Sequence, residues 1–216
     1  MYRTPFFVRK LLPLVTWCGP DGQGLYLTFD DGPDPVGTPL VLDLLAVHGC
    51  RATFFVTGAR AVTHPHLVRQ IVEAGHGLGA HFFDHKRLAG LGGEAIMDEL
   101  QRTDRALSSI VGWAPRCIRP PYGALSPALI RVSTHCGKTI VLWSVSTGDY
   151  RPRAEPERIA RWLLRRVRGG DIVLLHDALR CASPAARVLE LFLPNLSRVG
   201  LQAKVLPPAA PPQKSA

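Results

Sequence analysis

The sequence predicts an α/β fold, built from β/α units around a largely parallel sheet. Short apolar runs alternate with amphipathic segments from Leu25 onward, the pattern of strands buried on both faces and helices buried on one. Residues suited to chemistry recur at the ends of the apolar runs, where parallel α/β folds place their sites. The composition agrees: 216 residues, 46% hydrophobic and 20% charged, with a mean hydropathy of +0.08, suit one sizeable core and exclude wholesale disorder. Asp, Arg, His or Gly interrupts every apolar stretch well short of the roughly 18 residues a membrane-spanning helix needs.

Taken in order, residues 1–23 form a basic, apolar N-terminal segment in which Arg3, Arg9 and Lys10 precede Leu11, Leu12, Leu14 and Val15. Pro13 breaks the apolar run and no small-x-small cleavage site follows, so a signal peptide is not expected. We expect a cytoplasmic or membrane-peripheral chain, with this segment available for contact with a membrane surface. Residues 24–206 form one domain. Apolar runs predict strands at Gly24–Phe29, Ala52–Val56, Gly77–His81, Cys117–Arg119, Thr139–Trp143, Asp171–His176 and Leu201–Val205. Amphipathic spacing predicts helices between them at Thr38–Val47, His66–Ala74, Gly93–Val111, Ser126–Thr134, Pro156–Val167 and Ser183–Ser197. Periodicity suits a barrel and an open doubly wound sheet equally. Residues 207–216 carry four prolines without apolar periodicity and read as a disordered tail.

The 26 basic and 17 acidic residues give a net charge of +9. The densest basic stretch, Arg151–Arg168, sets its arginines around Ile159, Trp162, Leu163, Leu164 and Val167 as the solvated face of a helix. Trp162 is the one aromatic there, too few for base stacking, so nucleic acid is not an expected partner. Cys18, Cys50, Cys117, Cys136 and Cys181 are odd in number and contain no C-x-x-C pair, which suits reduced thiols.

Several segments carry chemistry. Thr28-Phe29-Asp30-Asp31-Gly32-Pro33 places adjacent carboxylates where the first strand ends. Such a doublet repels itself and costs stability unless a cation or a hydrogen-bonding partner compensates, while Asp31-Gly32-Pro33 reads equally as ordinary turn chemistry. His81 and His85, at i and i+4, can converge on one metal, and with a carboxylate they form the donor set of an open zinc site. Arg119 sits on a loop stiffened by Pro120 and Pro121, where a fixed guanidinium keeps a carboxylate ionised. His176 closes the apolar run Val173-Leu174-Leu175 with a titratable imidazole.

Together these segments resemble the polysaccharide deacetylases of carbohydrate esterase family 4, the NodB homology domain. The match runs from about Leu25 to Val205 through T-F-D-D-G-P at Thr28–Pro33, His81 and His85, Arg119 with Pro121 and Tyr122, and Leu174 with His176. The resemblance implies a distorted (β/α) barrel of about seven strands. It implies a divalent metal on Asp31, His81 and His85, most often Zn2+ with Co2+ an alternative. Asp30 would be general base with Arg119 paired to it, and His176 general acid with Asp149 paired to it. Pro121, Tyr122 and Leu174 would contact substrate, an N-acetylated oligo- or polysaccharide, as in the small chitooligosaccharide deacetylases. Phe82, Ser146 and Tyr150 depart from the family pattern; Phe82 removes a hydroxyl beside a ligand and offers packing instead. The resemblance implies N-deacetylation by an activated water. The second reading is a non-catalytic carbohydrate-binding protein on the same fold.

Overall fold

The computed structural model describes residues 1–178 and 184–209. Among the described residues there are ten strands: β1 (Tyr2–Arg3), β2 (Val15–Thr16), β3 (Gly24–Asp30), β4 (Thr53–Val56), β5 (Gly77–Ala80), β6 (Cys117–Ile118), β7 (Thr139–Val141), β8 (Val145–Ser146), β9 (Ile172–His176) and β10 (Gln202–Ala203). The helices are α1 (Phe6–Leu11), α2 (Gly37–Val47), α3 (Gly58–Thr63), α4 (Pro65–Glu73), α5 (Gly93–Val111), α6 (Pro127–His135), α7 (Pro156–Arg166) and α8 (Ala185–Phe192). The sheet runs β1-β8-β9-β3-β4-β5-β6-β7-β2, with β10 pairing β3 beside this path. From β8 to β7 every neighbouring pair is parallel, so the strands curl as a distorted barrel with all their C-terminal ends on one rim.

Between β7 and β8 the chain breaks strand at Leu142–Ser144, and the N-terminal segment fills that gap. β2 lies parallel to β7, and β1 lies antiparallel to β8. Thr4 donates its N–H to the Ser144 carbonyl and its hydroxyl to the Trp143 carbonyl. Residues 1–23 are therefore built into the sheet at both of its edges. Helix α1 between them buries none of its residues and exposes Phe6, Phe7 and Leu11.

Strand alternation divides the core in two. Leu25, Leu27 and Phe29 of β3 face the helices in the larger cluster, where Phe29 stacks on Phe54 with centroids 5.1 Å apart. Covering each such ring fully stabilises the fold by roughly 1.5–3 kcal/mol. Tyr26 of β3 faces the barrel interior with Phe55, Cys117, Val141 and Ile172. The same alternation turns Thr28 and Asp30 inward, above this plug.

Several expected boundaries shift. The strand placed at Leu201–Val205 is not a barrel stave: only Gln202–Ala203 pairs, and the place beside β9 belongs to β8. The two-residue strands β1, β2 and β8, and the helices α1 and α3, are too short to leave a periodic signal. The domain does not stop at 206. Pro207–Ala209 make a 3-10 turn, and Leu206 and Ala209 are fully buried in the interior cluster, Leu206 donating its N–H to Thr53 Oγ1. The rest of the expected tail, 210–216, and the helix start at Ser183 lie outside the described residues, as does Cys181. Cys18, Cys50, Cys117 and Cys136 are free thiols. Arg158, Arg161 and Arg165 of α7 are solvated while Ile159 and Leu163 are buried. Among the described residues, no helix is long and apolar enough to cross a membrane.

Candidate active site

Asp30, His81, Arg119, Asp149 and His176 all stand at the C-terminal rim, each on or just past the end of a different strand. Four non-glycine residues among those described adopt positive φ: Asp31 (74°), Phe82 (61°), His85 (54°) and Tyr122 (61°). All four belong to these rim loops. Left-handed backbone at such residues is costly and persists where surrounding contacts over-determine it, which is common at functional sites.

The positive φ at Asp31 separates the directions of the two neighbouring carboxylates. Asp30 is nearly buried and meets the fully buried Arg119, whose Nη1 donates to Asp30 Oδ1 at 2.7 Å and to Thr28 Oγ1 at 2.8 Å. The rest of the guanidinium is spoken for: Nε donates to the Val141 carbonyl at 3.1 Å and Nη2 to that of Leu142 at 3.3 Å, over the Phe55 ring. This geometry holds Asp30 in one orientation beneath the cleft.

Asp31 turns instead toward the two imidazoles. Its Oδ1 lies 3.3 Å from His81 Nε2 and 3.0 Å from His85 Nε2. Donor atoms of Asp31, His81 and His85 fall within 4.8 Å of one another. His81 Nδ1 lies 2.7 Å from the Arg119 carbonyl. A carbonyl oxygen only accepts, so that position carries the proton. That leaves Nε2 as the His81 nitrogen turned to the Asp31 carboxylate, where a cation between them would be held by both. The donor set and its fixed tautomer fit a divalent metal, and the backing carbonyl is the kind of support metal-bound histidines receive. Burial by itself would raise the Asp31 pKa, but hydrogen bonds to His81 and His85 outweigh it and hold the carboxyl well below the usual carboxylate range.

Across the cleft, His176 Nδ1 meets Asp149 Oδ1 at 2.9 Å, and the His176 N–H donates to Asp149 Oδ2 at 2.8 Å. Thr147 Oγ1 lies 2.8 Å from the Leu174 carbonyl and 2.9 Å from Asp149 Oδ1, its one hydroxyl proton lying between the two acceptors. Burial disfavours charge on His176, but the hydrogen bond and charge of Asp149 prevail and raise its pKa to about 9. The imidazole is therefore a cation at neutral pH, with a proton to give.

Asp30, Asp31, His81, His85 and His176 line a cleft of about 650 Å³, walled also by Tyr2, Tyr122, Trp143, Tyr150 and Leu174. Tyr122 sets its ring edge-on to His85, and Tyr150 sets its ring edge-on to His176. Pro121, expected to contact substrate, is buried and does not line the cleft; it stiffens the turn that presents Tyr122.

Sequence named Phe82 as a packing residue but left the hydrogen-bonding supports unseen. Phe82 is fully buried in the core, so it anchors its loop by packing. Hydrogen-bonding support comes from Glu99 on α5, nearly buried, whose Oε2 accepts the backbone N–H of Phe83 at 3.1 Å and of Asp84 at 3.0 Å. Thr28 and Thr147 were missed as well. Thr28 stands inside a recognised motif, but nothing in sequence joins Glu99 to a loop on a separate element.

A parallel barrel that gathers an acid–guanidinium pair, a two-histidine, one-carboxylate cluster and a histidine–acid pair at one rim has the parts of a hydrolytic site. The chain belongs to the polysaccharide deacetylase family, whose model matches residues 19–141. It is 35% identical over 189 residues to a peptidoglycan-N-acetylglucosamine deacetylase of Bacillus cereus, covering 86% of this chain and 88% of that one. It is 36% identical over 197 residues to a chitooligosaccharide deacetylase of a Bradyrhizobium species, covering 86% and 90%. Among solved structures, a peptidoglycan N-acetylglucosamine deacetylase in complex with 4-naphthalen-1-yl-N-oxidanyl-benzamide superposes with a TM-score of 0.84 at 31% identity, covering 94% of this chain and 95% of that one.

Proposed function

We propose that the protein is a metal-dependent carbohydrate N-deacetylase, removing acetyl groups from N-acetylglucosamine-containing oligo- or polysaccharide. The observation that carries this is the placement of a buried, Arg119-paired carboxylate on one side of the Asp31–His81–His85 cluster and an Asp149-paired imidazole, His176, on the other. Amide hydrolysis needs both: a base to take a proton from water and an acid to give one to the departing amine. The N-hydroxy amide on the solved relative is a chelating group, which supports a metal here.

The residues divide the work. Asp31, His81 and His85 would hold the cation, most simply Zn2+ with Co2+ a workable substitute. A cation there supplies Lewis acidity, which lowers the pKa of water from 15.7 to about 7 and polarises a carbonyl. Asp30, aimed by its 2.7 Å contact with Arg119, accepts the proton of the attacking water. His176, held charged by Asp149, donates to the nitrogen as the C–N bond breaks. Leu174 offers an apolar wall to the acetyl methyl.

The test is acetate release from N-acetylglucosamine oligomers by the protein, Asp30→Asn and His176→Ala. Each variant should keep its bound zinc and lose about 10²-fold or more in kcat. Loss of zinc from either variant, or full activity in either, overturns the roles assigned. For the N-terminal segment we infer peripheral contact with an anionic membrane, because α1 exposes Phe6, Phe7 and Leu11 beside Arg9 and Lys10. Equal sedimentation with anionic and neutral vesicles would contradict it.

A further inference from the structure

The cleft has two chemically unlike sides. Following the strand order from β6 through β7 to β8, the rim carries Tyr122, Trp143 and Tyr150, and Tyr2 of β1 stands in the gap between β7 and β8. The opposite side carries Thr57, Ala59, Arg60, Phe83 and Asp84, one aromatic ring among small, polar and charged groups. Of the aromatic side, Tyr122 touches His85 and Tyr150 touches His176, so the arc begins at the metal cluster and ends at the acid. Tyr2 stands between the arc's ends, and Trp143 Nε1 donates to its hydroxyl at 3.2 Å.

Tyr2 is 45% exposed although its backbone is paired in the sheet, Tyr2 opposite Ser146. A large ring held by a strand at a cleft wall, hydrogen-bonded at its hydroxyl and half exposed, is preorganised to receive an apolar surface. A pyranose ring presents such a surface, the C–H face of the sugar, with hydroxyls around its edge. Tyr2 also lies outside residues 19–141, the part of the chain that the family model matches.

We propose that Tyr2 is a substrate-binding residue: with Trp143 it forms a stacking platform for a pyranose ring next to the one that is deacetylated. This rests on the carbohydrate reading of the site and deepens it. The N-terminal segment then has two roles, closing the barrel between β7 and β8 and supplying one wall of a subsite for a second sugar. Preference for oligomers over a single sugar follows, because a lone N-acetylglucosamine at the metal cannot reach the platform as well.

The experiment measures kcat and KM for a tetramer of N-acetylglucosamine, and tetramer affinity by calorimetry, in the zinc-loaded protein, Tyr2→Leu and Tyr2→Phe. Leucine keeps an apolar side chain on the strand without a ring face, and phenylalanine keeps the ring without the hydroxyl. Loss of stacking should weaken binding about five- to tenfold, as an aromatic contact contributes on that scale. We expect that rise in tetramer KM and Kd in Tyr2→Leu with kcat changed less than twofold, and recovery of most of it in Tyr2→Phe. Tetramer KM and Kd unchanged in Tyr2→Leu, or a fall confined to kcat, overturns the proposal. So does an equal loss in both variants, which would assign the effect to the hydroxyl and the strand. If the unaltered protein neither binds the tetramer nor releases acetate from it, the carbohydrate reading itself fails. If it does both while Tyr2→Leu matches it, only the platform fails.

Discussion

Replacing Arg119 by methionine isolates the interaction on which the base depends. Methionine preserves much of the apolar stem and removes a guanidinium that is fully buried and makes four side-chain hydrogen bonds. Asp30, only 3% exposed, is then a buried carboxylate without its cation. Breaking such a pair from one side costs about 3–5 kcal/mol, a large share of the roughly 5–15 kcal/mol that holds a domain folded. Asp30→Asn leaves the opposite fault, an uncompensated guanidinium, at a similar cost. The double variant leaves no unpaired charge, so it should be less destabilised than the two single losses added together, by about 3 kcal/mol. Urea unfolding of all four proteins at pH 7, with chelator present so that metal binding does not contribute, measures the cycle. Single losses that add to within about 0.5 kcal/mol would refute the claim that Arg119 and Asp30 act as a pair.

Other consequences are separable. His76 is buried, its Nδ1 accepting the Ala52 N–H at 3.2 Å, and burial, with Arg51 adding to it, lowers its pKa from 6.5 to about 4. A folded pKa below the unfolded one means the contribution is present above about pH 6.5 and lost as pH falls toward 4. Linkage puts the loss between pH 7 and 5 at about 2 kcal/mol, and His76→Asn should flatten the stability profile by that amount; an equally steep profile contradicts the assignment. The rate should fall as pH rises through the His176 pKa of about 9, and Asp149→Asn should move that fall to lower pH; an unmoved limb in the pH–rate profile would separate Asp149 from the acid. Phe82→Ser should lower unfolding stability by about 3–5 kcal/mol, because it empties a fully buried site. Glu99→Ala should instead weaken zinc about 10–100-fold by releasing the ligand loop, and competition titration distinguishes the two.

Much of the site was legible because its residues fall in short contiguous motifs. Asp30 with Asp31, His81 with His85, and Arg119 with Tyr122 each announce themselves by adjacency or spacing. Strand ends were legible for the same reason, since a buried parallel strand is a continuous apolar run that stops at a polar residue, as β3 does at Asp30. The supports were not legible, because they join distant positions: Glu99 reaches a loop 15 and 16 residues away, and Tyr2 meets Trp143 at a separation of 141. The N-terminal segment looked detachable for a physical reason. Its two-residue strands are held by pairing with β7 and β8 rather than by any periodicity of their own. Pro207–Ala209 misled in the opposite way, since a proline-rich composition says nothing about whether a single small residue such as Ala209 plugs a cavity.

The proposed hydrolysis requires a cation held by Asp31, His81 and His85, a requirement tested by adding zinc stepwise to metal-free protein and measuring acetate release from an N-acetylglucosamine oligomer. Turnover should be absent at the start, rise linearly and saturate at one equivalent of zinc per chain. Undiminished acetate release from protein shown to be metal-free by elemental analysis would contradict the requirement.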